Sequence, residues 1–583
     1  MNAGGLKTRW RLWRAAPRSG PRAIAWQPEP RGAGSASKGR QILAGVWHLA
    51  GEVIEAPGAS PWDLTPASTP FEMLLHGQGW LDDVIATGER EAQERARGWV
   101  VGWARSYGAG RGPGWAPALT GRRLLRWISH APVLLSGMGP EDQKLFFDAI
   151  YAQSGYLARH WSDAVAGLPR MEALTGLLYA GLTLEGQTAM AGFAADALAR
   201  ALEEDVDEAG GIPARNPEAL LEVAVLLDWA IEALAARGDV PAPLRATQAR
   251  IVATLRALSH SDGGLARFHG GGPGREGRLA RVLSSAAPSG RRDGLAMGFL
   301  PVSHGRTTLV VDAALPPVGP ISGSAHASTL AFELSSGPCP VIVNCGAGGA
   351  FGPDWHRAGR ATASHSTLSL DGWSTARIGP LMEVDGRRIA PLVQPPAHVQ
   401  HSRAGLRDAT AVTLSHDGYG PGFGLVHLRR LVLSSDGRTL QGEDALRAVG
   451  AADKERLEDA RAATRRETGT DGLPFSIRFH LHPDAEAGID MGGRAISIAL
   501  PSGEVWVFRP GLRTGESRGV PVVLSLEPSV YMDTTRLHPR PSFQMVLSGR
   551  VLTYAAAIDW TLTRAQEAPG PGALSDDHER PQP

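Results

Sequence analysis

Residues 322–372 read SGSAHASTLAFELSSGPCPVIVNCGAGGAFGPDWHRAGRATASHSTLSLDG, and this stretch predicts three closely spaced strands. Apolar residues alternate with other residues from 329 to 334, which is the period of two expected of a strand with one buried face. The apolar, β-branched run 341–345 follows after a Gly-Pro turn, and a glycine-rich segment then leads to His365 at the head of the run 366–370. Strands separated by turn residues favour an antiparallel meander or the edge of a β-sandwich.

Length and charge set wide limits on the function. A chain of 583 residues is too long for one hydrophobic core and predicts two large domains. Lys and Arg total 59 and Asp and Glu also total 59, so no overall charge favours nucleic acid, and an anionic substrate needs a local basic cleft. Cys339 and Cys345 lie about 20 Å apart if the strand between them is extended, so we predict no disulfide.

Residues 1–69 are predicted to form a basic N-terminal extension. The basic side chains near its start are interleaved with Trp10, Leu12 and Trp13, a pattern that suits a membrane surface or a partner as well as a frayed or domain-docked extension. No apolar h-region follows these residues, so no secretory signal is visible, and no run of eighteen apolar residues predicts a membrane span. The basic residues are Lys7, Arg9, Arg11, Arg14, Arg18 and Arg22.

Residues 70–265 are predicted to form a helical domain. Runs with a 3.6-residue apolar period, separated by Gly and Pro, indicate an antiparallel array of helices joined by short loops. Asn216 is placed to cap the helix that begins at Pro217, so a structural role accounts for this asparagine. The alternative role is contact with a substrate. The periodic runs are 81–106, 121–135, 141–161, 171–184, 188–204, 217–236 and 244–259.

The remaining chain changes character. Residues 266–306 lose the helical period and gain glycine and arginine, which predicts a linker. Strand patterns dominate residues 307–565, apart from the charged, helix-like segment 453–466, and they predict a β-sandwich. Residues 566–583 are rich in proline and polar side chains and are predicted to be disordered.

Common catalytic motifs are absent from the sequence. It contains no phosphate-binding glycine motif, no G-x-S-x-G, no H-E-x-x-H and no paired-cysteine zinc pattern. These absences exclude the common nucleotide-binding, serine-hydrolase and zincin classes.

The central stretch resembles the heparinase II/III family of polysaccharide lyases. The resemblance rests on H-A-x-x-L-x-F-E-L from His326, a strand ending in V-N-C-G at Gly346, and R-A-T-A-x-H-S-T-L from Arg360. It covers most of the chain and is strongest over residues 322–370. Members of this family join an N-terminal helical (α/α) toroid to a C-terminal antiparallel β-sandwich, so we expect a toroid-like domain followed by a sandwich.

The resemblance implies cleavage of an acidic (uronate) polysaccharide by β-elimination, in a cleft between the two domains. The predicted function is therefore a polysaccharide lyase. Some family positions carry other residues here: the catalytic His of the sandwich falls on Ser324, the Asn-His pair of the toroid on residues 168–169, and the Tyr on Ala219. A serine cannot replace an imidazole without an activating partner. These departures support the alternative function, a non-catalytic carbohydrate-binding or scaffold protein on the lyase fold.

The same resemblance implies a metal site. Its ligands would be His326, Asn344 and His365, with the asparagine at the position of an aspartate in metal-binding relatives. Imidazoles from neighbouring strands can hold zinc together with an amide or a carboxylate, and the alternative is a pair of hydrogen-bonded core histidines. His480 and His482, at positions i and i+2 of a strand, could also chelate a metal, although their alternation with apolar residues favours the polar face of a strand.

The candidate catalytic residues are His326, His365, Tyr419 and Arg360. Tyr419 could act as a base or pack as an ordinary aromatic side chain. Arg360 and its neighbour Arg357 could bind a carboxylate bidentately or be solvated.

The candidate substrate-binding residues are Arg215, Asn216 and Arg357, and the expected partner is an acidic polysaccharide or oligosaccharide. The resemblance implies the cell envelope, specifically the periplasm, as the compartment. The alternative compartment is the cytoplasm, because no signal peptide is visible.

Overall fold

The computed structural model describes residues 23–29, 32, 34–66, 68–110, 114–275, 277–286, 294–384, 387–511, 520–533, 536 and 538–566. The basic residues before position 23, the tryptophans among them and the predicted disordered tail from residue 567 lie outside the described residues. Helices occupy the N-terminal half and antiparallel strands the C-terminal half, as the sequence predicts.

The N-terminal domain is an array of helices around an apolar core. Its helix α8, Leu168–Thr183, is buried along most of its length and contacts helices on several sides. The helices are α1 Ala36–Leu43, α2 Thr69–Gly77, α3 Trp80–Ile85, α4 Arg90–Tyr107, α5 Pro117–Ser129, α6 Ala131–Leu135, α7 Pro140–His160, α8 Leu168–Thr183, α9 Thr188–Asp205, α10 Pro217–Ala235 and α11 Ala242–Ala257.

Local sequence explains where these helices begin and end. The Asn216 side chain accepts a hydrogen bond from the backbone N–H of Ala219 at 3.0 Å, so the predicted cap of α10 is confirmed. Two predicted runs are each split into two helices. Gly88 adopts φ +71° between α3 and α4, and Pro132 lacks the N–H that would continue α5 into α6.

Two antiparallel eight-stranded sheets form the C-terminal domain. Their strands are β3 Phe299–His304, β4 Thr307–Asp312, β5 Phe332–Ser336, β6 Cys339–Val343, β7 Leu368–Leu370, β12 Val399–Leu406, β13 Ala409–Tyr419, β14 Leu425–Ser434, β15 Thr439–Arg447, β16 Leu473–Leu481, β17 Glu486–Asp490, β18 Ala495–Ala499, β19 Val505–Pro510, β20 Val523–Tyr531, β21 Arg540–Val551 and β22 Ala555–Gln566. The first sheet has the order β12-β13-β14-β15-β22-β19-β18-β17, and the second has the order β20-β21-β16-β6-β5-β4-β3 with β7 paired to β16.

Short elements complete the described chain. Hairpins form from β1 Val46–Leu49 with β2 Glu52–Glu55, and from β9 Met382–Val384 with β10 Arg387–Ile389. The remaining strands and α-helices are β8 Arg377–Ile378, β11 Leu392–Val393, α12 Arg278–Ser284, α13 Pro353–Gly359, α14 Gly420–Phe423 and α15 Ala451–Thr468, and short 3₁₀ helices lie at Pro61–Asp63, Trp161–Asp163, Gly319–Ser324, Gly348–Phe351 and Thr362–Ser364.

The sandwich core is aromatic and aliphatic. Trp560 is fully buried and lies 6.0 Å from Phe332 and 4.8 Å from Phe479, measured between ring centroids. The helical core continues into the sandwich, because Phe299 and Val310 of its first two strands belong to the apolar cluster of the helices. The two domains therefore share a continuous packed boundary.

Some expectations for the central stretch need correction. The strand predicted from residue 329 begins at Phe332, because Leu330 adopts φ +64° in a turn before it. The third strand, β7, pairs with β16 rather than with its sequence neighbour β6.

Two segments outside the central stretch also contain regular structure. The segment predicted as a linker contains α12 and β3, and the segment predicted as an N-terminal extension contains α1, β1 and β2.

Cys339 and Cys345 are both buried and free, as predicted. In the part of the chain that the structure describes, no helix is long and apolar enough to cross a membrane.

Candidate functional site

A cavity of about 320 Å³ lies where the helical domain meets the sandwich. We call it the junction cavity. Helices α8 and α10 contribute one side, and the 3₁₀ turn Gly319–Ser324 contributes the other. Its lining residues are Val165, Ala166, Leu168, Pro169, Ile212, Ala214, Asn216, Ala219, Pro320, Ile321, Gly323, Ser324 and Ile389.

The junction cavity unites the positions that the family resemblance identifies as catalytic. Leu168 and Pro169 lie at the start of α8, Ala219 lies in the first turn of α10, and Ser324 ends the 3₁₀ turn. The amide of Asn216 is already engaged, since it caps α10 and its Nδ2 donates to the carbonyl of His269 at 3.1 Å. Among the side chains that line the cavity, none is an acid, a histidine, a tyrosine or a cation.

Arg360 fixes the sandwich wall of this cavity. Its Nε donates to the carbonyl of Ala325 at 2.7 Å, its Nη2 to that of Ser322 at 2.9 Å and its Nη1 to that of Ala390 at 2.7 Å. Its side chain is 1% exposed, and burial lowers its pKa to about 10. We therefore interpret Arg360 as a structural residue and not as the predicted catalytic residue.

His326 and His365 lie together, as their places in the motif indicate. The Nδ1 of His326 is 2.9 Å from the Nε2 of His365, and the Nδ1 of His365 is 2.8 Å from the carbonyl of Ala361. Because a carbonyl only accepts, His365 carries its proton on Nδ1, and His326 donates to its neighbour. Burial lowers the pKa of His365 to about 4 and places that of His326 well below its usual range, so both rings are neutral at pH 7.

Zinc fits these residues poorly. Two nitrogens bound to one tetrahedral zinc at about 2.0–2.1 Å each would be roughly 3.3 Å apart, whereas these two share a proton at 2.9 Å. The Oδ1 of Asn344 accepts the backbone N–H of Ser366 at 3.0 Å, so it is already engaged. No group of three His, Cys, Asp or Glu side chains within the described residues has an arrangement that could hold a metal. The geometry matches the alternative, a hydrogen-bonded pair of core histidines.

Arg215 joins the two domains instead of facing a ligand. Its Nη2 contacts the buried carboxylate of Asp312 in β4 at 2.5 Å, and its other donors reach backbone carbonyls of the sandwich, at Met297, Gly298, Ala314 and Leu315. The Arg215 charge holds the pKa of Asp312 below its usual value in spite of complete burial. No donor of this guanidinium is left for a substrate, so the predicted substrate role is replaced by a structural one.

His269 links this ion pair to the histidines. Its Nδ1 accepts the backbone N–H of His326 at 3.1 Å, and its Nε2 lies 3.6 Å from the carboxylate of Asp312. Burial lowers the pKa of His269 to about 3. We call Arg215, Asp312, His269, His326 and His365 together the junction network.

Tyr419 lies in the sandwich core, away from the cavity lining. Its ring is 1% exposed, and its hydroxyl donates to the carbonyl of Leu368 at 3.1 Å. Burial raises its pKa above the usual value, so the phenolate that a base would require is disfavoured. The second interpretation of Tyr419, aromatic packing, describes its position.

His480 and His482 do not chelate a common ion. His480 contacts the hydroxyl of Ser529 at 2.8 Å and the carbonyl of Ala363 at 3.0 Å, which occupies both ring nitrogens. His482 packs against Tyr531 with a centroid distance of 4.8 Å.

A second buried hydrogen-bond network, which the sequence patterns did not indicate, contacts residues 322–372. Asp444 of β15 accepts hydrogen bonds from Arg429 at 2.7 Å and from Trp560 at 3.0 Å. The Nη1 of Arg429 then donates to the carbonyls of Leu330 and Ser366, both at 2.9 Å. The arginine thereby holds two loops of the motif against the first sheet.

Arg357 is exposed and lines a second cavity, of about 580 Å³, on the flank of the sandwich. We call this cavity the arginine groove. Arg360, Arg377, Trp373 and Asp354 also line it, and the Arg377 guanidinium lies 5.5 Å from the Trp373 ring centroid. Trp373 and Arg377 lie just after the motif in the sequence, in the pattern W-S-T-A-R. They are functional candidates because they are exposed, and only the fold shows this exposure.

An array of helices followed by an antiparallel sandwich is the architecture of heparinase-type polysaccharide lyases. The family model "Heparinase II/III-like, C-terminal" matches residues 286–561. The C-terminal domain belongs to the heparinase II/III-like family.

Two solved lyases share the fold over nearly the whole chain. The crystal structure of heparinase III has a TM-score of 0.68 at 11% identity, covering 97% of this chain and 92% of the lyase. A mutant of the heparan sulfate lyase HepC from Pedobacter heparinus has a TM-score of 0.56 at 13% identity, covering 97% of this chain and 89% of that one.

One relative has a much higher sequence identity to this chain than the two lyases have, and its name does not describe a lyase. FtsZ-localized protein C of Caulobacter vibrioides (strain NA1000 / CB15N) is 30% identical over 585 residues. The match covers 97% of this chain and 95% of that protein, so it includes both domains.

Proposed function

We propose that this chain is a non-catalytic member of the heparinase II/III family that acts as a binding scaffold, with FtsZ as a partner. The observation that carries the proposal is the lining of the junction cavity. Pro169, Ala219 and Ser324 line it, and these are positions to which the family resemblance assigns catalytic side chains. The fold is thus that of a lyase, while the cavity has the chemistry of an apolar pocket.

β-Elimination from a uronate polymer requires three groups. One neutralises the carboxylate, a base removes the proton α to it, and an acid protonates the leaving oxygen. Alanine, leucine and proline supply none of these, and a serine hydroxyl needs an adjacent base to act. The residues of the cavity therefore favour binding over elimination.

The neighbouring histidines do not supply the missing base. Neither His326 nor His365 lines the junction cavity, and the two rings are hydrogen-bonded to each other. A base works best with a pKa near the operating pH, and the pKa of His365 is lowered to about 4. These properties suit a structural pair.

Sequence similarity over nearly the whole chain supports FtsZ as the partner. The 30% identity to FtsZ-localized protein C extends over 97% of this chain, whereas the lyases that share the fold are 11–13% identical. Association with FtsZ is a binding function, which requires no acid or base.

Sedimentation with FtsZ polymers tests the proposal. Purified chain is mixed with FtsZ assembled by GTP, and the pellet is compared with one from unassembled FtsZ. We expect the chain to pellet with the polymers and heparinase III, which has the same fold, to stay in the supernatant. Equal pelleting with and without polymers would contradict the FtsZ assignment.

A further inference from the structure

The junction cavity is suited to an apolar group. Most of its lining consists of aliphatic, alanine and proline side chains, and its polar side chains are Ser324 and Asn216. Asn216 has both amide atoms engaged, to Ala219 and His269. A volume of about 320 Å³ is near the lower end of ligand pockets, which are about 300–1,000 Å³.

The arginine groove is suited to an anionic group. Three guanidinium groups line it, from Arg357, Arg360 and Arg377, against the single carboxylate of Asp354. Arg360 is occupied by carbonyls, so Arg357 and Arg377, both exposed, are the cations open to a ligand.

An indole ring completes the groove. The side chain of Trp373 is 46% exposed, and its ring packs edge to face on Phe423 at a centroid distance of 5.1 Å. An exposed indole held in this way offers a preformed contact surface.

Arg360 links the linings of the two cavities. Arg360 lines the groove, and its guanidinium binds the carbonyls of Ser322 and Ala390. The next residues along the chain, Gly323 after Ser322 and Ile389 before Ala390, line the junction cavity. The imidazole of His356, beside Arg357 on α13, also contacts the carbonyl of Gly323 at 3.3 Å.

We propose that the junction cavity and the arginine groove form one docking surface for an acidic segment of a partner protein. A bulky apolar side chain of the segment enters the cavity, and carboxylates on neighbouring residues pair with Arg357 and Arg377. This inference rests on the proposed scaffold function and adds the position of the partner and its chemistry.

A peptide fits this surface better than a carbohydrate does. A sugar ring carries hydroxyl groups around its edge, and burying them in the junction cavity would leave most of them without partners at a considerable cost. An aliphatic or aromatic side chain gains free energy from the same burial. The charge of the groove selects acidic over basic segments.

Filling the cavity is the direct test. Ala219→Leu and Ala166→Leu each place a larger side chain in the cavity, and the second variant guards against misfolding of the first. Ala235→Leu, at the exposed end of α10, is the matched control. In sedimentation with FtsZ polymers we expect both cavity variants to weaken binding by about tenfold or more and the control to bind like the parent chain.

The groove is tested by reversing its charge. The double variant Arg357→Glu, Arg377→Glu is compared with Arg245→Glu, an exposed arginine of α11. We expect the double variant to weaken binding by about tenfold or more and the control to change it less than about twofold.

The outcomes separate this inference from the function on which it rests. If parent and cavity variants pellet equally with FtsZ, the docking surface is wrong and the FtsZ assignment stands. If no chain pellets, the FtsZ assignment fails, and a random peptide library displayed on phage decides the inference. Enrichment of acidic peptides with a bulky apolar residue on the parent chain but not on Ala219→Leu would support it. Enrichment of basic peptides, or equal enrichment on both chains, would overturn it.

Carbohydrate binding is tested with heparan and chondroitin oligosaccharides titrated against the parent chain and Trp373→Ala. We expect no saturable binding to either. Binding that Trp373→Ala abolishes would assign the groove to a saccharide and overturn the peptide inference.

Discussion

The junction network and the junction cavity occupy the same domain boundary and differ in chemistry. Ser324 lines the cavity, and His326, two residues later, belongs to the network. The network is polar, buried and hydrogen-bonded, while the cavity is lined mainly by apolar side chains. A boundary can thus keep the polar contacts that join its domains without presenting groups for acid–base catalysis.

Removing the central cation of the network should have the largest effect. Arg215→Ala leaves the carboxylate of Asp312, which is 0% exposed, without its partner, and we expect a loss of about 3–5 kcal/mol in the free energy of unfolding. Arg245→Ala, at an exposed position of α11, should change it by less than about 0.5 kcal/mol. Denaturant unfolding followed by tryptophan fluorescence measures both. Equal stability of the two variants would show that the ion pair does not hold the domains.

Acid should weaken the network. The folded-state pKa values of His269 and His365, about 3 and about 4, lie below the unfolded value of 6.5, so the unfolded chain binds more protons between those limits. The free energy of unfolding is therefore highest above pH 6.5 and falls as the pH drops below it.

A histidine variant measures this linkage. His365→Gln should reduce the slope of stability against pH between pH 6.5 and 4 by up to about 1.4 kcal/mol per pH unit, because one titrating group is lost. Unfolding curves over this pH range give the slope. An unchanged slope would show that His365 titrates normally in the folded protein.

A smaller effect is expected at Tyr419. Tyr419→Phe removes the hydrogen bond to Leu368 and keeps the ring, so we expect a loss of about 0.5–1.5 kcal/mol in the free energy of unfolding. Sedimentation with FtsZ polymers should be unchanged. A selective loss of FtsZ binding would mean that this tyrosine contributes to the functional surface.

Protein prepared without a histidine tag should contain far less than one zinc ion per chain. The donors of His326, His365 and Asn344 are engaged with one another or with the backbone, so they present no shared site. Elemental analysis after dialysis measures the ratio. One zinc per chain, lost in His365→Gln, would reinstate the metal site.

The features predicted correctly from sequence are those set by local patterns. Asn216 followed by Pro217 is a local cap signal, and it determines the start of α10. The order of helices and strands follows from apolar periods of 3.6 and 2. The proximity of His326 and His365 is an exception, because it follows from their places in the family motif and not from a local pattern.

The roles that sequence could not assign depend on distant partners. Arg215 binds carbonyls 82–100 residues away, so nothing near it in the sequence distinguishes a structural arginine from a substrate-binding one. The burial of Tyr419 and the exposure of Trp373 are likewise properties of the packed sandwich. The junction cavity needed both domains in place before its apolar lining was visible.

The elimination assay tests the central claim most directly. β-Elimination creates a C4–C5 double bond that absorbs in the ultraviolet, and binding or hydrolysis does not. The chain is incubated at high concentration with heparan, chondroitin and alginate polymers, with heparinase III on heparan as the positive control. Loss of one acid or base lowers a rate by about 10²–10⁴-fold, so long incubations are included. We predict no rise in absorbance with any polymer. A rise that scales with protein concentration and disappears in His326→Ala, with the variant still folded, would contradict the non-catalytic assignment.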